Sequence, residues 1–262
     1  MTAWQDLTSA RLDLVDRQVP VVLPLAAVEQ HGPHLPLATD RLIVEHLCAR
    51  LDEELGAEVL TLPTVAVGNS THHRDFPGTL SVRHATLLDQ ATDVAECVFG
   101  DGFHNLLLLN AHGGNEGIAQ VALEQLGARW RDRRVVRTTW WQVAAEAIGA
   151  ISEAGPGGVG HACELETSLV LAIAPQLVDT AAAPARESAP AFTWDAGDML
   201  RPSRATLYRR FADIAPSGVF GEPRAASAEK GKRISEAVTT ELVGILESLR
   251  GRPLPAAGGA TA

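Results

Sequence analysis

The sequence predicts an α/β fold, a three-layer α/β/α sandwich with a mainly parallel central sheet. Three observations predict it. Short apolar runs alternate with amphipathic stretches of helical length. The runs are apolar throughout rather than at every second residue, as strands covered on both faces must be. Several of them end in a polar segment, and helix-covered parallel sheets place their sites at strand carboxyl ends.

The elements follow in order. Residues 20–25, PVVLPL, are an apolar run bounded by prolines and read as a buried strand. Beyond Asp40, the residues Leu42, Ile43, Leu47, Leu51 and Leu55 recur at helical spacing, with Asp40 placed to cap the helix and Gly56 to end it. A strand over 58–62, a loop over 63–81 rich in Gly, His and Pro, and a helix over 83–99 come next. HNLLLLN, 104–110, is a fully buried strand, and Ile118, Val121, Ala122 and Leu126 mark the apolar face of the helix after it. A strand over 134–140 ends at Trp140 and Trp141. Cys48 and Cys97 fall on apolar helical faces and read as core. The Pro- and Ala-rich stretch 183–192 is a surface excursion, a single domain spans 1–253, and 254–262 has the composition of a frayed tail.

Composition limits the partners. With 46% hydrophobic and 21% charged residues in 262, the chain has the make-up of a globular protein. A formal charge of −10 excludes general binders of nucleic acid or anionic membrane, which need clustered Lys and Arg. No apolar run approaches the roughly 18 residues of a membrane span. Three cysteines without a CxxC pair predict a reducing, cytoplasmic setting. The expected partner is a small molecule or a peptide.

Four polar clusters carry the chemistry. In AVEQHGPHLPLATD, 27–40, Pro33 and Pro36 are expected to hold the chain extended, so that Glu29 and His31 share a face. A carboxylate and an imidazole aimed together make half a site for a divalent metal, and Asp40 adds a bridging carboxylate; His34 is the most structural member. His112 in NAHGGNEG sits where a strand ends, with glycines allowing close backbone approach. GHACELETS, 160–168, offers His161, Glu164 and Glu166 as a ligand and a general acid or base, or else as a helix start with acidic residues favouring its dipole. Nothing there activates Cys163 as a nucleophile. In NSTHHRDFPGT, 69–79, extended chain would send His72 and His73 to opposite faces, so one at most joins a shared site.

EQHGPHLPLATD, HHRDFPGTLS, NAHGGN and HACELETS, in that order, resemble the creatininase (creatinine amidohydrolase) family, and SGVFGEPRAASAEKG, 217–231, is similar to its C-terminal segment. The resemblance implies an α/β/α fold, two divalent ions per subunit (Zn²⁺, Mn²⁺ or Fe²⁺), amide hydrolysis and a homohexamer. It implies Glu29 and His112 on one metal, His31 on the other and Asp40 between them. The family's creatinine-hydrolysing members complete the second metal with a glutamate at the position of Gly114, so Glu164 is the expected replacement and Glu166 orients a ligand from behind, as His34 does. Those members also have a tryptophan at the position of Gly157, and many relatives have Glu at that of His72, so creatinine is not the first-choice substrate.

The expected reaction is hydrolysis of a cyclic or linear C–N amide bond by a hydroxide held between the metals, with His161 carrying a proton to the departing nitrogen. His73, Trp140 and Trp141 are the expected substrate contacts. Creatinine hydrolysis, formamidopyrimidine deformylation, hydrolysis of a cyclic sugar ketone and maturation of a cofactor peptide remain open among enzymes. A non-catalytic metal-containing binding or scaffold protein is the alternative outside them.

Overall fold

The computed structural model describes residues 3–187, 190–195, 197–201 and 203–251. Strands β1 (Val21–Leu25), β2 (Leu60–Thr61), β3 (Asn105–Asn110) and β4 (Arg134–Thr139) form one parallel sheet in the order β2-β1-β3-β4. Every residue of the inner strands β1 and β3 is buried, which is why their sequences show no alternation. β2 is shorter than the 58–62 expected, because Pro63 supplies no N–H to continue the ladder.

The main helices are α1 (Thr39–Leu55), α2 (His84–Gly100), α3 (Glu116–Arg129), α4 (Ala145–Ile151), α5 (Glu164–Ile173) and α6 (Ala228–Arg250). On one face of the sheet, Val22, Leu107 and Leu109 share a core with Ile43 of α1, Leu165 of α5 and Ile234 of α6. On the other, Leu23, Leu106 and Leu108 pack with Leu87 and Ala91 of α2 and Ala122 of α3. Alternate strand positions thus feed separate cores, which gives the α/β/α layering its physical basis.

Three local expectations are corrected. Cys97 is exposed, since the buried stripe of α2 runs through Leu87, Ala91, Ala95 and Val98 and passes it by. Val121 is 42% exposed, the face of α3 being Ile118, Ala119, Ala122 and Leu126. Asp40 does not cap α1: the N-cap is Ala38, without a side-chain bond, and Asp40 lies buried in the first turn.

The parallel strands bring 26–31, 111–115 and Trp140–Val143 to one sheet edge. Among the described residues no helix is long and apolar enough to cross a membrane. The tail 254–262 lies outside the described residues.

Candidate metal centre

The first motif folds back instead of running extended to Leu37. Gly32 takes φ +66°, a left-handed conformation a side chain resists, and the Glu29 N–H reaches the Leu37 carbonyl at 3.0 Å. Glu29 and His31 nevertheless turn into the same buried cluster, and Asp40 meets them from α1. His31 Nδ1 donates to the Glu29 carbonyl at 3.1 Å, which leaves the lone pair of Nε2 facing Asp40 Oδ1 at 3.2 Å and Glu166 Oε1 at 3.8 Å.

His112 is oriented in the mirror sense. Its Nε2 donates to the Asn69 carbonyl at 2.9 Å, so Nδ1 faces Glu29 Oε1 at 3.1 Å and Asp40 Oδ2 at 3.4 Å. Asn115 fixes this arrangement: its amide donates to the Ala26 carbonyl and its carbonyl accepts the Asn69 N–H, both at 3.0 Å. Sequence reasoning missed Asn115, although it ends the NAHGGN motif. A Cβ at Gly114 would strike the Asn69 carbonyl oxygen and stand 2.5 Å from His112 Nε2 and 3.0 Å from His72. The place of the family glutamate is therefore filled.

His72 and His73 both reach the site, against the expectation from extended chain. Residues Thr71–His73 form a 3-10 turn, which puts the two rings 4.3 Å apart on one side. His72 joins Glu29 and His112, and His73 Nε2 lies 3.5 Å from Glu29 Oε1, its Nδ1 accepting from the Gln30 amide at 2.8 Å.

Of the acidic pair on α5, the structure brings Glu166 to the cluster and not Glu164. Glu166 Oε1 faces His31, and its Oε2 accepts the N–H of Ala162, a non-glycine residue at φ +53°. Glu164 is fully buried elsewhere, held by Ser152, the backbone at 153 and 154, and Lys230. The sequence signal was helical position: a residue at the very start of α5 and one two places on face different ways. His161 Nε2 donates to the Gln30 carbonyl at 2.7 Å, leaving Nδ1 3.6 Å from Glu29 Oε1. His34 bonds Thr167 Oγ1 at 2.9 Å and ties the loop to α5 without entering the cluster.

The electrostatics are those of a buried anionic pit. Burial raises the Glu29 carboxyl pKa, but His112, His73 and His161 outweigh it and hold the group well below its ordinary range. Asp40 is pushed up to about 6 by burial, against the pull of His31. Burial lowers His31, yet Asp40 and Glu166 raise it well above the ordinary imidazole value, and Glu29 raises His112 to about 9 against the same burial. Burial drives His73 far down and, with His31, takes His161 to about 4. Cys163 is inert, its thiol pushed up to about 12 by burial.

Both Glu29 oxygens, His31 Nε2 and Asp40 Oδ2 are buried without a hydrogen-bond partner. His112 commits its Nε2 proton to Asn69, and once Nδ1 is deprotonated, as metal ligation requires, its 3.1 Å approach to Glu29 offers no donor. Buried, unpartnered carboxylate oxygens and imidazole nitrogens converging on one point fit divalent cations in charge and in donor type. Among the described residues, the groups able to hold a metal are Glu29–His72–His112, His31–Asp40–Glu166 and Glu29–His31–His161.

A cavity of about 340 Å³ opens over this cluster. Its outer wall is Trp141, Met199, Phe211 and Phe220, with Asp198, and no Lys or Arg lines it among the described residues. Phe211 packs on His73 at 4.3 Å and on His161 at 4.8 Å. Trp140, by contrast, is fully buried and meets Trp141 edge-on at 5.4 Å, so it is core rather than a substrate contact. The wall residues of 197–220 come from a stretch with no periodic pattern to announce them.

Fold and site together define a parallel α/β/α protein with a buried carboxylate–histidine centre able to hold divalent cations. The creatinine amidohydrolase (Creatininase) family model matches residues 3–246, and the chain belongs to the creatininase family. It is 33% identical over 237 residues to a mycofactocin precursor peptide peptidase of Mycobacterium tuberculosis, covering 85% of this chain and 82% of that one. It is 32% identical over 174 residues to a creatinine amidohydrolase of Pseudomonas putida, covering 61% and 66%. Among solved structures, a mutant creatininase of Zn–Zn type superposes with a TM-score of 0.80 at 25% identity, over 96% of this chain and 99% of that one. Like these relatives, the protein is a hydrolase of carbon–nitrogen bonds.

Proposed function

We propose that the protein is a metal-dependent amidohydrolase that cleaves a C–N amide bond of a small molecule. Two divalent ions are assigned, one to Glu29, His112 and Asp40, the other to His31, Asp40 and Glu166. The observation that carries this reading is the set of buried, unpartnered atoms on Glu29, His31 and Asp40. Bound there, such ions would supply Lewis acidity, polarising a carbonyl and acidifying water. Glu166 takes the role first expected of Glu164, and His72 stands beside the first position as a further donor.

The chain's own residues do the rest. The carbonyls of Glu29 and Asn69 fix the tautomers of His31 and His112, so that both rings present a lone pair to the centre. His161 remains neutral near pH 7, since burial takes its pKa to about 4, and its Nδ1 is the nitrogen free to take a proton and pass it to the leaving amine. Trp141, Phe211 and Phe220 give the cavity an apolar face beside the cluster. A lining without Lys or Arg among the described residues supports a substrate whose groups next to the scissile amide are neutral or cationic rather than carboxylate or phosphate. The protein is further proposed to work in the cytoplasm as a homohexamer, on the strength of the family resemblance.

The test is metal analysis with a substrate panel. Protein loaded with Mn²⁺, Zn²⁺ or Fe²⁺ is expected to hold about two ions per chain and to hydrolyse some member of a panel of creatinine, cyclic amides, formamides and short peptides, with loss on chelation. Tightly held metal with no turnover across the panel would favour the scaffold reading.

A further inference from the structure

Glu164, displaced from the metal centre, anchors something else. Its carboxylate is fully buried and accepts from Ser152 Oγ at 2.6 Å, the Glu153 N–H at 3.0 Å, the Ala154 N–H at 3.0 Å and Lys230 Nζ at 2.5 Å. Lys230 in turn reaches Glu153 Oε2 at 2.8 Å and the Ala225 carbonyl at 2.7 Å. One side chain of α5 thereby fixes the start of the glycine-rich loop 152–159 and joins it to α6.

That loop holds the cavity wall. Gly157, at φ +67°, directs its N–H to Asp198 Oδ2 at 2.8 Å, and the Met199 N–H reaches the Val159 carbonyl at 2.9 Å. Arg186 grips the loop from the other side, donating to the Ala154 carbonyl at 3.0 Å and the Pro156 carbonyl at 2.6 Å. Asp198 and Met199 line the cavity over the metal cluster, and their segment carries no regular secondary structure of its own. Its place depends on the loop, and the loop's place depends on Glu164.

We propose that Glu164 is a positioning residue for the substrate-facing wall: through loop 152–159 it sets where 197–199 stands over the metal centre. Loosening it should weaken the grip on groups that extend from the metals to the wall and leave the metals untouched.

The experiment compares wild-type protein with Glu164→Gln and Ser152→Ala, each as the metal-loaded full chain. Ser152→Ala leaves the Glu164 carboxylate and Lys230 intact and removes the one side-chain bond that Glu164 makes to the loop. Three quantities are read: metal content, amide hydrogen exchange of 152–159 and 197–201, and affinity of the Co²⁺-loaded protein for two probes followed by its visible spectrum. Benzohydroxamate carries a ring to the wall; acetohydroxamate does not. Both variants are expected to keep the wild-type metal content, to exchange faster in both segments, and to bind benzohydroxamate about tenfold more weakly, with acetohydroxamate unchanged.

Loss of a metal from Glu164→Gln would overturn the proposal in favour of a ligand role. Unchanged exchange and unchanged benzohydroxamate affinity in Glu164→Gln, or in Ser152→Ala where Glu164→Gln fails to fold, would overturn it too. The hydroxamate arm rests on the metal-centre reading and the exchange arm does not, so failure of that reading shows separately as absent metal in the wild type.

Discussion

His31 Nε2 lies 3.2 Å from Asp40 Oδ1, and both side chains are sealed from solvent. Asp40 turns its other oxygen to His112 Nδ1 at 3.4 Å, so its two oxygens face the two histidines proposed as ligands. Asp40→Asn keeps the shape and removes the charge. The expected outcome is a drop from about two ions per chain to one or none and a loss of activity of at least about 100-fold, with unchanged circular dichroism. Full metal content in Asp40→Asn would remove the bridging role.

His161→Ala separates proton transfer from metal binding. The ring lines the cavity and keeps Nδ1 3.6 Å from Glu29 while its Nε2 is tied to Gln30. The variant is expected to keep its metals and lose about 10²- to 10⁴-fold in kcat, the range of a general acid or base. An unchanged kcat on a substrate found by the panel would exclude His161 from the chemistry.

Gly114→Glu tests whether the family glutamate can simply be restored. The Asn69 carbonyl, His112 and His72 occupy the space its Cβ needs. The variant is expected to melt several degrees lower and to bind metal more weakly, by calorimetry and metal titration, because His112 must give up its bond to Asn69. Tighter metal binding would show that His72 does not close that position.

Acid stability should depend on His34. Burial, with His31 nearby, holds its folded pKa at about 4, below the unfolded value near 6.5. The unfolded chain therefore binds more protons between these values, so the contribution is fully present above pH 6.5 and is lost as pH falls toward 4. His34→Gln keeps a group able to reach Thr167 and does not titrate. Its melting temperature is expected to fall less steeply than that of the wild type between pH 6.5 and 4, a difference on the order of 2 kcal/mol. Parallel melting curves would contradict this.

Much of the fold was legible because buried parallel strands write themselves as continuous apolar runs: 104–110 is observed as Asn105–Asn110, and the helix after Asp40 as Thr39–Leu55 with Gly56 at its end. The cluster of Glu29, His31, Asp40 and His112 was readable for the same reason, since each residue lies just beyond a strand or opens the helix after it. What was hidden depended on local turns. Gly32 folds the first motif back, and the 3-10 turn at 71–73 brings both histidines to one side, where extended-chain reasoning had separated them. Glu164 and Glu166 differ in role through where each faces on α5, and the partner that claims Glu164, Lys230, lies 66 residues away on another helix. Of the wall residues, Asp198, Met199 and Phe220 lie outside helices and strands and Phe211 opens a helix of one turn, Phe211–Ile214, which is too short to show a period in sequence.

The most direct test of the central claim is an anomalous-diffraction crystal structure of the Zn²⁺- or Mn²⁺-loaded protein. The account predicts two metal peaks flanking Asp40, with Glu166 Oε1 about 2.0–2.2 Å from the one bound by His31 and Glu164 still on Lys230. A Glu164 carboxylate swung onto a metal, or no metal peak between His31 and His112, would contradict it.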